Sequence, residues 1–142
     1  MKKDSVRTPH YIKNLAATIF NRRIFLNDPC PYNISFDPLK DKDALKDDTC
    51  WKEFNFVNPP FTHMMKFIKR AHYMFKKYKY KSVVLVKNDT LGRKFMRNIV
   101  KDIEIIFFTK QIIFENFEKA CHFNSALIIF GREPGKFSIV EF

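Results

Sequence analysis

The chain has 142 residues, the length of one compact domain, and a single domain spanning 1–142 is expected. It is 46% hydrophobic and 16% aromatic, with 17 Phe against 3 Gly; that is enough apolar surface for a buried core and excludes a disordered or collagen-like chain. Lys and Arg number 26 against 15 Asp and Glu, a formal charge of +11, so the expected partner is a polyanion, nucleic acid ahead of an anionic membrane surface. Apolar runs of about six residues fall far short of the ~20 that a spanning helix needs, so no membrane span is expected. The basic start Met1-Lys2-Lys3 leads into no apolar segment, which points to an intracellular, cytoplasmic protein. Cys30, Cys50 and Cys121 are odd in number and widely spaced, and none pairs with His10, His63, His72 or His122 at ligand spacing. Reduced thiols and no metal site follow.

In chain order, Tyr11 to Phe20 places Ile12, Leu15, Ala16, Ile19 and Phe20 at helical spacing, with Thr8-Pro9 as a cap and first-turn proline. Arg23 to Asn27 reads as a short buried strand stopped by Asp28-Pro29. Asp37 to Lys52, rich in charge and turn formers, reads as a surface loop. Phe54 to Val57 is a second strand, stopped by Asn58-Pro59-Pro60-Phe61. Thr62 to Tyr78 is an amphipathic helix with a basic outer face. Ser82 to Val86 is a buried strand, followed by a short helix from Leu91 to about Val100. Strands are expected at Ile103–Phe108, Gln111–Glu115 and Ala126–Phe130, with an edge strand at Phe137–Phe142. This order predicts a wound α/β sheet whose C-terminal part turns antiparallel.

Ligands of open α/β sheets bind beyond the carboxyl ends of the strands, which singles out Asp28-Pro29-Cys30 and Asn58-Pro59-Pro60-Phe61. The paired prolines fix their own dihedrals, hold Asn58 extended, and leave a stiff rack of carbonyl acceptors. The Asn58 side-chain oxygen and the Pro59 carbonyl can together accept both protons of an aromatic amino group. That draws the nitrogen lone pair out of conjugation and makes it nucleophilic. Phe61 offers a flat surface on which a base can stack. No general base is needed before attack, because the cationic nitrogen formed by methyl transfer is acidic and sheds its proton afterwards. Asn-Pro-Pro also occurs as an ordinary strand terminator, Asp28 as an ordinary turn cap and Asp43 as an ordinary loop charge, so position in the fold decides between the readings.

From about Thr8 to Phe130 the chain resembles the S-adenosylmethionine-dependent DNA adenine methyltransferases, and within them the small phage-type Dam family. The resemblance rests on Thr8-Pro9, Asp28-Pro29-Cys30, Asp43-Ala44-Leu45 followed by Trp51, and Asn58-Pro59-Pro60-Phe61. It continues through the strand ending near Lys87, Thr90, Lys94-Phe95, the stretch Ile105 to Phe114, and Phe123-Asn124-Ser125-Ala126-Leu127. It implies a Rossmann-like methyltransferase sheet, mostly parallel with an antiparallel C-terminal part, in a minimal domain without a separate target-recognition domain. It implies Asn58, Pro59, Pro60 and Phe61 as the catalytic motif receiving a flipped adenine. Thr8 and Pro9 would touch the methionine end of the cofactor; Asp28, Pro29 and Cys30, with Asp43, Ala44 and Leu45, complete its cofactor contacts. Two departures stand out. Cys30-Pro31-Tyr32-Asn33-Ile34 has no glycine where many methyltransferases let the backbone approach the cofactor, and Gln111 stands where the family commonly has arginine.

Lys66, Lys69, Arg70, Arg93, Lys94 and Lys110 are the expected phosphate contacts, interleaved with tyrosines. A solvated helix face is the plain alternative for each of them. The expected activity is methyl transfer from S-adenosylmethionine to the exocyclic amine of adenine in DNA, with a phage or large DNA virus as a natural source. Two alternatives remain open: a catalytically silent methyltransferase-like module that binds nucleic acid, and a methyltransferase acting on RNA adenine or another planar amine.

Overall fold

The computed structural model describes residues 7–31, 43–114 and 124–141. In chain order these form α1 (His10–Ile19), β1 (Phe54–Val57), α2 (Met64–Tyr78), β2 (Lys81–Lys87), α3 (Met96–Ile99), β3 (Ile103–Phe108), β4 (Ser125–Phe130) and β5 (Phe137–Val140). The five strands make one sheet in the order β1-β2-β4-β3-β5. β1 and β2 run parallel, as do β3 and β5, while β4 lies antiparallel between β2 and β3. The sheet is therefore mixed, not mostly parallel as expected. The inserted β4 reverses the direction at its centre.

Alternation along the strands sorts the core into two faces. Val84, Val86, Ile105, Ala126 and Ile128 pack with Phe67, Ile68, Ala71 and Met74 of α2. Val83, Leu85, Ile106, Leu127 and Ile129 pack with Ile12, Ala16 and Ile19 of α1. The architecture is three-layered, helix on sheet on helix. Removing a fully buried member such as Leu127 by Leu→Ala would cost about 2–5 kcal/mol through lost transfer energy and the cavity left behind.

Several expected elements differ. Arg23–Asn27 forms no strand: residues 21–25 are exposed, and only Asn27 pairs, in a single parallel bridge to Asn55. Residues 111–114 are not a strand either, and Glu115 lies outside the described residues. Ile112 and Phe114 nonetheless sit in the α1-side core, although both sides of β3 are already taken by β4 and β5. The helix expected from Leu91 is broken into a 3₁₀ turn over Asn88–Gly92, the short α3 and a 3₁₀ turn over Val100–Asp102. Residues 43–52 are not a solvated loop, since Ala44 and Trp51 are buried and Trp51 Nε1 donates to the Ala44 carbonyl at 3.0 Å. The edge strand ends at Val140, and Phe142 lies outside the described residues.

Thr8 does not cap α1. Pro9 is itself the extended N-cap residue, its carbonyl accepting from Ile12 N and Lys13 N, and no side chain caps the helix. The Thr8 hydroxyl is committed elsewhere. Among the described residues, no helix is long and apolar enough to cross a membrane.

Candidate active site at the carboxyl end of the sheet

Strand directions bring widely separated segments to one end of the sheet. The parallel pairing sets Val57 against Val84, so Asn58, after β1, follows at the level of Leu85, two residues before Lys87 ends β2. The antiparallel pairing of β4 sets Ser125 opposite Lys87, and Asn88 N donates to the Asn124 carbonyl at 3.0 Å. The exit of β3, followed by Lys110, reaches the same end. Asn27 joins β1 from the other side: its N–H donates to the Phe54 carbonyl at 3.2 Å and its carbonyl accepts from Phe56 N at 2.8 Å. One bridge is thus enough to deliver Asp28 to the site without a strand.

At the centre, Asn58 is half-buried and its Nδ2 donates to the buried Thr8 hydroxyl at 2.8 Å. A carboxamide is planar, so fixing Nδ2 also fixes Oδ1, which is directed away from Thr8. Pro59 is buried behind it. The Pro60 carbonyl accepts from His63 N at 3.0 Å in the 3₁₀ turn Phe61–His63, so it is not an open acceptor as expected from the sequence. The rack narrows to Asn58 and Pro59. Phe61 is half-buried, packed against both core clusters, with Lys87 Nζ 4.1 Å from its ring centre.

Asp28 lines a cavity of about 130 Å³ with Lys13, Phe25, Leu26 and Phe56, between α1 and the sheet. Burial pushes its carboxyl up to about 6, against the opposing effects of the Cys30 N–H, which donates to Oδ1 at 3.0 Å, and of the Lys13 charge. The Cys30 thiol is pushed up to about 12 by burial and by the charges of Asp28 and Asp43, so it stays protonated at neutral pH and is no nucleophile. Asp43 turns the chain locally, its Oδ1 accepting from Leu45 N at 2.9 Å. The Ala44 carbonyl accepts from both Trp51 Nε1 and Arg70 Nε.

The expected phosphate contacts separate into two groups. Lys66 and Lys69 are exposed on α2, Lys69 Nζ lies 5.1 Å from the Phe95 ring centre, and exposed Arg93 and Lys94 immediately precede Phe95. Lys69 thus brings the α2 face near the 93–95 segment. Lys110 is exposed after β3. Arg70 faces another way, held by the Ala44 carbonyl and by Asp48, which also accepts from Tyr78 Oη at 2.6 Å. Those bonds make Arg70 a brace between α2 and the 43–50 segment.

Sequence reading missed Lys13, Lys87 and the amide pair Asn27–Asn55. A lysine at a helix position or a strand end carries no local signal of what it faces; that depends on the sheet order. Cys121, His122 and Phe123 lie outside the described residues. No protein-family model matches the chain, and no curated protein matches it.

Proposed function

We propose that this protein transfers a methyl group from S-adenosylmethionine to the exocyclic amino group of adenine in DNA. The observation that carries the proposal is the Asn58 amide, held through Nδ2 by Thr8 at the end of β1 and followed directly by Pro59 and Phe61. We take Asn58 Oδ1 as one acceptor for the incoming amine and the Pro59 carbonyl as the second. Two accepted N–H bonds localise the lone pair on the amine nitrogen. The nitrogen forms its bond to the methyl carbon as the carbon–sulfur bond breaks, and the cationic nitrogen then loses a proton to water. Phe61 supports the base plane.

S-adenosylmethionine, when bound, supplies the electrophilic methyl group. The donor set suits its zwitterionic amino-acid end: Asp28 and Lys13 place a carboxyl and an ammonium on one cavity beside Asn58's strand. Thr8, Pro9 and the 28–30 and 43–45 segments are the proposed holders. The exposed Lys66, Lys69, Arg93, Lys94 and Lys110 add positive charge for a phosphate backbone, within a chain of net charge +11.

A second reading, the silent nucleic-acid-binding module, is favoured by the size of the Asp28 cavity. At about 130 Å³ it is smaller than the roughly 300–1,000 Å³ usual for small-molecule sites. Purified protein incubated with tritiated S-adenosylmethionine and single- or double-stranded DNA or RNA, followed by digestion to nucleosides, separates the readings. Label in N6-methyladenine from DNA supports the proposal. Label in RNA, in cytosine or in no base redirects it, and absence of cofactor binding by calorimetry selects the silent module.

A further inference from the structure

The ammonium over Phe61 raises a question of occupancy. Lys87 Nζ stands 4.1 Å from the ring centre, the shortest cation–ring approach among the described residues and well inside the ~6 Å reach of such contacts. Phe61 is already half-buried against both hydrophobic clusters, and Lys87 stands on the ring face it approaches. A base stacked on that face needs the volume the ammonium now fills.

We propose that Lys87 is a displaceable cap on the base-stacking surface, which it exchanges for the phosphate of the entering nucleotide; this rests on the reading of Asn58 and Phe61 as the base site. The geometry allows the exchange. Lys87 ends β2 and is half-exposed, and its four-carbon stem can swing the ammonium without moving the strand. The cation then has an aromatic face in the empty site and a phosphate in the filled one. A nucleotide within a strand brings the replacement anion with it, whereas a neutral nucleoside must displace the ammonium and offer nothing in return. Lys87 would thus select polynucleotide over free adenosine at a site whose other groups read only the base.

The test compares Lys87→Met, which keeps the stem and removes the charge, with Lys87→Arg. Binding of a fluorescein-labelled octamer of deoxyadenosine is followed by anisotropy over a range of salt, and binding of adenosine by calorimetry. Lys87→Met is expected to weaken octamer binding roughly fivefold and to lower the log–log salt slope by about 0.7–1, the signature of one lost phosphate contact. Adenosine binding should stay equal or tighten, and Lys87→Arg should restore the slope. An unchanged slope in Lys87→Met overturns the proposal, as does equal weakening toward octamer and adenosine. Where adenosine binds to neither protein, the slope decides alone. None of this requires turnover: absence of methyl transfer by the wild-type protein counts against the activity, whereas an unchanged slope counts against Lys87 alone.

Discussion

Two asparagines on β1 and just beyond it, three residues apart, do opposite things. Asn55 is fully buried, and its amide is saturated from within: Nδ2 donates to the carbonyls of Lys52 and Lys81, and Oδ1 accepts from Asn27 Nδ2 and Lys52 N. It welds the Asn27 bridge and the 50–52 segment to the first two strands. Asn58, past the strand end, is half-exposed and held by the Thr8 hydroxyl. The same side chain is mortar where every valence is bonded within the core, and a candidate tool where the strand stops and the amide is half-exposed. Its place relative to the strand end separates the two roles; residue type does not.

The largest expected effect on that contrast falls on stability. Asn55→Leu removes one of the two partners of Asn27 Nδ2, which keeps the Cys50 carbonyl, strands the Lys52 N–H and two carbonyls, and should lower the unfolding free energy in urea by roughly 3–5 kcal/mol. Loss of under about 1 kcal/mol would dissolve the structural half of the comparison.

Asp28 gives a pH test of how dry its side of the site is. Its folded pKa, about 6, lies above the unfolded value of 3.8, so the fold favours the protonated carboxyl. That contribution is fully present below pH 3.8 and is lost as pH rises through about 6. Asp28→Asn should therefore be more stable than wild type at pH 8, by on the order of 2–3 kcal/mol, with the two converging below pH about 4. Chemical denaturation at both pH values measures it, and equal stability at pH 8 would mean a solvated carboxylate.

The smallest effect sharpens the Asn58 side. Thr8→Val removes the acceptor for Nδ2, costing about 1 kcal/mol of stability and roughly tenfold in methyl-transfer rate through loss of amide orientation, while Thr8→Ser keeps both. Initial rates and urea midpoints of the two variants, measured together, check this.

The contrast between the asparagines also marks what could be read from sequence. Val83–Val86 and Ala126–Phe130 were legible because continuous apolar runs between turn formers are the mark of strands buried on both faces, and Phe54–Val57 because its aromatic and β-branched residues stop at a proline pair. Their order was not, because nothing local to Ala126–Phe130 says that it inserts antiparallel between β2 and β3. Arg23–Asn27 looked like a strand for its Ile-Phe-Leu core, yet pairing needs a neighbour along its whole length, and only Asn27 finds one. Residues 111–114 show the converse, with Ile112 and Phe114 buried and Ile113 exposed in strand-like alternation but no pairing to either neighbour-filled side of β3. At the site, Asn58 to Phe61 and Asp28 stood out because prolines and turn residues announce strand ends. Thr8 was recognisable as a partner of the site only through its motif. Lys13 and Lys87 became visible once the helices and strands were assembled.

The central claim is that the Asn58 amide serves transfer and not folding. The direct measurement is the initial rate of tritiated methyl incorporation into DNA by Asn58→Ala beside wild type, with urea unfolding of both. The account predicts a fall of roughly 100- to 1,000-fold, the usual cost of removing one preorganised polar contact to the reacting group, with stability lowered by no more than about 1 kcal/mol. Incorporation within about twofold of wild type, or a rate that falls only because the protein unfolds, would contradict it.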